Sequence, residues 1–325
     1  MIGFFYRKHF NFIGEKDIKI KMRPIIMEIY NVPSHFQPEY SKKNIEEIIF
    51  DIIKYMNNSN FKTEYIYLPV FWTSYYILHD YGDRSQELAT WINSLDKSKK
   101  YFTVVQYDSG IYVKNYDIDI MIFTASGGGL NIGIGDLDAD PCMCKVKFND
   151  TVRTVFCGNK GSYDIPLLCL PEIPFLNLER DIYCSFMGRM DTHTLRMEIR
   201  DTLQNNSEFK FWETVDYETY KQILNRSIFS LAPRGFGYTS FRLYEAIAAN
   251  SIPIFVWEDK ICLPFDDEID WTEFSIVIHI SQIRDLENIL KNVNIPKMQQ
   301  QLTKIKHVFT FNYTTDYIIQ KISSK

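Results

Sequence analysis

Nothing in this sequence matches a GxGxxG or a GxxxxGK fingerprint, which sets aside the common dinucleotide and P-loop phosphate cradles. No CxxC pair occurs among Cys142, Cys144, Cys157, Cys169, Cys184 and Cys262. The Cys142-Met143-Cys144 spacing is poor for zinc, no nearby histidine completes a set, and nothing reads as a disulfide framework, so free thiols and no bound metal are expected. The first thirty residues lack an uninterrupted apolar core, because Arg7, Lys8, Glu15, Lys16, Asp17, Lys19, Lys21 and Arg23 break it. The expectation is therefore neither a cleaved signal peptide nor a membrane span, and a cytoplasmic protein. The sequons at Asn57, Asn205, Asn225 and Asn312 then read as chance matches. A basic tail is also missing: the formal net charge is −5, which argues against nucleic acid as a partner.

What is present is enough apolar material, 46% of 325 residues, for two packed domains or one large one. Tyr (21) and Phe (24) are abundant, and core packing with a coding bias accounts for them more simply than a sugar-binding cleft does. Strand-like and helix-like stretches alternate. Ile25 to Tyr30, Tyr65 to Val70, Tyr101 to Gln106 and Ile118 to Thr124 read as strands, and the isoleucines of Ser41 to Asn57 recur at the helical period. Asp108 and the run Gly127-Gly128-Gly129 follow two of these strands directly. The acidic residues Asp136, Asp138 and Asp140 do not fit a calcium loop. Prolines 166, 171 and 174 punctuate a connector, so the domains are expected at 1–172 and 173–325, with the last helix packing back on the first.

The chain is organised around Ser227 to Trp257. Ile228 to Leu231 is a strand ended by Pro233, and Arg234-Gly235-Phe236-Gly237 is a glycine-permitted loop. Thr239 or Ser240 can cap a helix carrying Arg242 and Glu245, and Ile252 to Trp257 is the next strand. This βαβ unit offers a helix N-terminus and arginines to an anion such as a diphosphate. A purely structural βαβ unit has the same pattern. Arg189, at the end of the strand Asp181 to Met187, suits an anion or a plain surface position equally.

Ser230 to Ala246, Ser251-Ile252-Pro253-Ile254, Leu263-Pro264-Phe265 and Ile269 to Ser275 strongly resemble the exostosin family of glycosyltransferases. The likeness is specific over about 226–278 and weaker upstream, at Tyr67 to Phe71, Gly127 to Gly129, Ile165-Pro166 and Ser185 to Arg189 with Arg196. The resemblance implies the GT-B architecture, an α/β fold of two Rossmann-like domains facing a cleft. It implies an inverting transfer of a sugar from a nucleotide-sugar donor to a hydroxyl of a glycan acceptor, without a required cofactor. UDP is the first expected donor nucleotide and GDP the second. The short form resembles compact intracellular members of the kind found in large DNA viruses and some protists.

Under that resemblance Arg189, Arg234, Gly235, Gly237, Tyr238, Thr239, Ser240 and Arg242 would hold the diphosphate side of the donor. Glu245 would hold the ribose, or pair with Arg242 one turn away. Phe236 or Tyr238 would line the base or sugar pocket, while Trp271 and Phe274 read as core. Inversion needs a general base across the cleft; Asp108 is the first candidate, Asp136 the second and His35 the third. Two alternatives stay open: a retaining GT-B transferase, and a catalytically inactive carbohydrate-binding or scaffold protein, favoured if Arg234 or Glu245 points into the core. The sugar, the acceptor and the oligomeric state are not legible.

Overall fold

The computed structural model describes residues 27–40, 43–56, 63–80, 86–111, 118–128, 143–148, 151–156 and 162–323. Its first long helix is α1 (Ile45–Met56), which buries Ile45, Ile48, Ile49 and Ile53. There follow β1 (Tyr65–Tyr67), α2 (Trp72–Leu78), α3 (Gln86–Asn93), β2 (Lys100–Val105), β3 (Asp119–Thr124), an antiparallel hairpin of β4 (Met143–Phe148) and β5 (Thr151–Phe156), and β6 (Tyr163–Asp164). Strands β1-β2-β3-β6 form one parallel sheet in that order. The strand expected over Ile25 to Tyr30 contributes, among the described residues, a single parallel bridge from Ile29 to Tyr67.

The aromatic run Phe71 to Tyr76 is the start of α2, which sequence reasoning left unassigned. Its N-cap, Phe71, makes no side-chain cap. Acceptors for its first turn come from α1 instead: Glu46 accepts from the Thr73 N–H at 3.2 Å and from the Thr73 hydroxyl at 2.8 Å, and Glu47 from the Ser74 hydroxyl at 3.1 Å. Both carboxylates are buried, although their spacing between isoleucines reads as a solvent face.

The second sheet comprises β7 (Ile182–Met187), β8 (Phe209–Trp212), β9 (Ser227–Pro233), β10 (Ile252–Trp257) and β11 (Ile276–His279). Helix α4 (Thr194–Leu203) connects β7 to β8, α5 (Tyr217–Arg226) connects β8 to β9, and α6 (Phe241–Ala248) connects β9 to β10. Every pairing is parallel and the order is β8-β7-β9-β10-β11. Strands covered on both faces need nearly continuous apolar sequence, and Ile252 to Val256 supplies it. The chain winds outward one way from β7 and the other way from β9. Their carboxyl ends therefore diverge into a crevice, the place where doubly wound sheets bind ligands.

Helices α7 (Leu286–Lys291), α8 (Ile295–Ile305) and α9 (Phe311–Ser323) complete the chain. The last returns to the first sheet. The Thr63 hydroxyl donates to the Ile322 carbonyl at 2.8 Å, and Tyr317 meets Tyr163 edge-on at 6.2 Å. Among the described residues many aromatics serve the core, including the stacked pair Tyr67 and Phe102 (4.7 Å) and the buried Trp271 and Phe274. Two parallel sheets with flanking helices make this an α/β protein, the GT-B arrangement that the resemblance implies.

Candidate functional site

Strand β7 ends in a turn at Gly188, whose φ is +146°. A β-carbon there would lie 1.8 Å from Arg242 Nη2, so glycine is what lets the guanidinium cross the strand end. Arg242, from α6, donates through Nε to the Met187 carbonyl. Arg196, from α4, donates to the Arg234 carbonyl at 2.9 Å and the Arg189 carbonyl at 2.8 Å, tying together the loops after β7 and β9. Both guanidiniums lie against the Phe186 ring, 5.6 and 5.4 Å from its centroid. Neither forms an ion pair with a described residue. Burial, then the charge of Arg242, pushes the Arg196 guanidinium down to about 9. Asp191 offsets this only in part and forms no ion pair with either arginine, and two adjacent cations so placed are a costly arrangement that an anion would relieve.

The same crevice receives the start of α6. Its N-cap, Ser240, makes no side-chain cap, and the buried Ser240 hydroxyl has no partner among the described residues. Helix N-terminus and arginines thus face one place. Gly188→Ala should displace Arg242 and strain the turn by roughly 1–3 kcal/mol. A thermal melt should show a lower Tm and a weaker response to added nucleoside diphosphate.

The loop 234–238 bridges the two sheets. Arg234 is 2% exposed and folds back on its own loop, donating to the carbonyls of Gly237 (3.1 Å) and Phe236 (3.3 Å) and pairing with Asp259 (3.1 Å). Tyr238 is held between Arg234 and Lys260, with the cations 4.7 and 5.2 Å from its ring centroid, and its N–H donates to the Ser126 carbonyl at 3.3 Å. From the first sheet Asp108, just beyond β2, accepts from the Gly237 N–H and lies beside Ser126, whose hydroxyl donates to the Gln106 carbonyl at 3.2 Å. A β-carbon on Gly237 would come within 2.8 Å of Asp108 Oδ1 and 2.9 Å of Ser126 Cβ, so only glycine allows this contact. Burial pushes the Asp108 carboxyl up to about 6, against the opposing pull of Ser126, Arg234 and Gly237.

Contacts join Asp108, Arg234, Gly237 and Tyr238 at this loop, and Arg196 links it, through the Arg234 carbonyl and Gly235, to the strand end where Arg242 lies; Thr239 and Ser240 stand between the two in the chain. Arg189 pairs at 2.6 Å with Asp191 and its side chain is 72% exposed. His35 lies on a short 3₁₀ turn, paired at 3.2 Å with Glu87 at the surface. Asp136 lies outside the described residues. Glu245 accepts from the Tyr220 hydroxyl and lies 3.6 Å from Cys169 Sγ, and the pair with Arg242, the alternative to its expected ribose contact, does not form. Among the described residues no group of three or more His, Cys, Asp and Glu could hold a metal ion, and no helix is long and apolar enough to cross a membrane.

Sequence reasoning named Arg196 but gave it no place in the site. A signal existed: on α4 it stands on the stripe with the buried Leu195, Ile199 and Leu203, where an arginine is out of character. His193, beside it, was missed. It caps α4 through Nδ1, and burial with the charge of Arg234 holds its imidazole down at about 4, neutral at pH 7.

Residues 139–293 match the Exostosin GT47 domain. A probable glucuronosyltransferase of Oryza sativa subsp. japonica is 28% identical over 138 residues, 38% of this chain and 32% of that protein. A probable beta-1,4-xylosyltransferase of Arabidopsis thaliana is 29% identical over 158 residues, 43% and 38% of the two chains. These matches span about a third of those relatives' length. The solved structure of the pneumococcal O-GlcNAc transferase GtfA with UDP and GlcNAc aligns with a TM-score of 0.38 at 9% identity, over 86% of this chain and 59% of that one. The crevice residues Gly188, Arg196, Arg234 and Arg242 all fall within the matched span, and the chain carries an exostosin GT47-like domain.

Proposed function

We propose that this protein is an inverting glycosyltransferase that moves a sugar from a nucleotide-sugar donor to a hydroxyl of a glycan acceptor. The observation that carries the reading is the pair Arg196 and Arg242 at the β7/β9 crevice, unpaired by any described acid and facing the N-terminus of α6. Departure of a nucleoside diphosphate develops negative charge on the bridging oxygen, and fixed donors of this kind stabilise it without a metal. Arg234 holds the loop in shape, so its part is to fix the Gly235 to Ser240 backbone around the donor. Asp108 would take the proton of the acceptor hydroxyl. A carboxyl poised near 6 is ionised at neutral pH and basic enough to act.

UDP is the first expected donor nucleotide and GDP the second. The sugars named for the plant relatives make UDP-xylose and UDP-glucuronic acid the first probes. The test is thermal unfolding of the purified protein with UDP, GDP and these nucleotide sugars, with and without EDTA. A ligand of the native state must raise Tm, by about 2.7 kcal/mol of stabilisation at a hundred times Kd. A shift with one nucleoside diphosphate that survives EDTA is the expected result.

A second reading draws on the burial of Arg234, which is 2% exposed and satisfied within its own loop. That fits a scaffold or carbohydrate-binding protein keeping the fold without turnover. It predicts no shift with any nucleotide in a protein that unfolds cooperatively.

A further inference from the structure

The loop between Arg234 and Tyr238 is anchored at both flanks and by its own carbonyls, yet it leaves one large apolar ring, Phe236, 56% exposed at its tip. A scattered exposed phenylalanine needs no explanation. This one differs in its neighbours. A β-carbon on Gly235 would lie 3.1 Å from Arg196 Nη2, and one on Gly237 would lie 2.8 Å from Asp108 Oδ1. The residue before Phe236 thus touches the cation proposed for the leaving group, and the residue after it touches the carboxylate proposed as base. Successive Cα atoms are about 3.8 Å apart, so Phe236 stands between those two groups. An inverting displacement sets leaving oxygen, anomeric carbon and acceptor oxygen in line, and with Arg196 at the leaving group and Asp108 at the acceptor that line would run past Phe236.

From this we infer that Phe236 is the platform on which the transferred sugar stacks, its ring covering the apolar C–H face of the pyranose. The inference rests on the glycosyltransferase reading and adds the contact that the free nucleotide lacks. The fixed carbonyls of Phe236 and Gly237 matter here, because a ring presented by a rigid loop loses little freedom on binding. Glycine on either side lets Arg196 and Asp108 approach the loop backbone closely on the two flanks of Phe236.

The experiment is calorimetric titration of the wild type, Phe236→Ala and Phe236→Tyr with UDP and with the UDP-sugar that gives the largest thermal shift. Phe236→Ala should weaken the UDP-sugar by roughly fivefold to tenfold and leave UDP within twofold. Phe236→Tyr should restore the UDP-sugar. Equal losses for UDP and UDP-sugar would overturn the proposal in favour of stacking on the base or collapse of the loop. Unchanged affinity for both would make Phe236 a bystander. Wild-type protein that binds neither ligand would instead sink the glycosyltransferase reading itself, and the two failures are distinguishable.

Discussion

Asp108→Asn should lower kcat by about 10²–10⁴-fold while the thermal shift produced by nucleoside diphosphate stays as in the parent. The asparagine keeps the shape and can still accept from the Gly237 N–H, but it cannot take a proton. In the parent, kcat/KM should fall about tenfold per pH unit below about 6, where the carboxyl becomes protonated. The variant should lose that limb. Stability moves the other way. The folded pKa lies above the ordinary value of 3.8, so the folded state holds this proton more tightly than the unfolded chain. That contribution is complete below pH 3.8 and is lost as pH rises through about 6. Asparagine carries no such loss, and at pH 7.5 the variant should be no less stable than the parent, with an upper bound of roughly 3 kcal/mol gained. A variant that is inactive and also melts earlier would make Asp108 a clamp between the sheets rather than a base.

Arg242→Ala is the second large effect expected: loss of the nucleotide-induced thermal shift and a fall of about 10²–10³-fold in kcat/KM. It donates to one carbonyl, that of Met187, and lies against the Phe186 ring, so Tm without ligand should fall, but less than in Arg196→Ala. Arg196→Ala should abolish the nucleotide response as well, but it also releases the carbonyls of Arg189 and Arg234, at about 1–3 kcal/mol for the buried Arg234 carbonyl. Comparing the two variants separates phosphate binding from loop support. Lysine at 196 should not rescue, because one ammonium cannot span both carbonyls as the planar fork does. If Arg242→Ala leaves nucleotide binding intact, the diphosphate is held elsewhere.

Much of the donor side is legible because its signals are local. Apolar runs at 228–231 and 252–256, a proline stop, two glycines and a run of helix formers lie within thirty residues, and they specify strand, loop, helix and strand without help from elsewhere. The same locality explains α1, whose isoleucines carry its period. Where distant groups complete an element, the sequence is silent. Helix α2 has no cap of its own and borrows Glu46 and Glu47 from a helix 27 residues earlier. Strand β8 is recognisable only from its place beside β7.

The site divides in the same way. From the sequence alone came the α/β alternation, the glycine loop with Arg234 and Arg242, and Asp108 at a strand end. Tertiary structure decided what each does. The parallel order β8-β7-β9 brings Gly188 to Arg242 and turns Arg196 inward, while it leaves Arg189 in solvent with Asp191. The meeting of the two sheets sets Asp108 against Gly237, more than a hundred positions away in the chain. Periodicity and turn chemistry report what a residue does to its neighbours in sequence. A guanidinium's choice between a carbonyl, an acid and an open crevice depends on which backbone arrives beside it, and only the packed fold determines that.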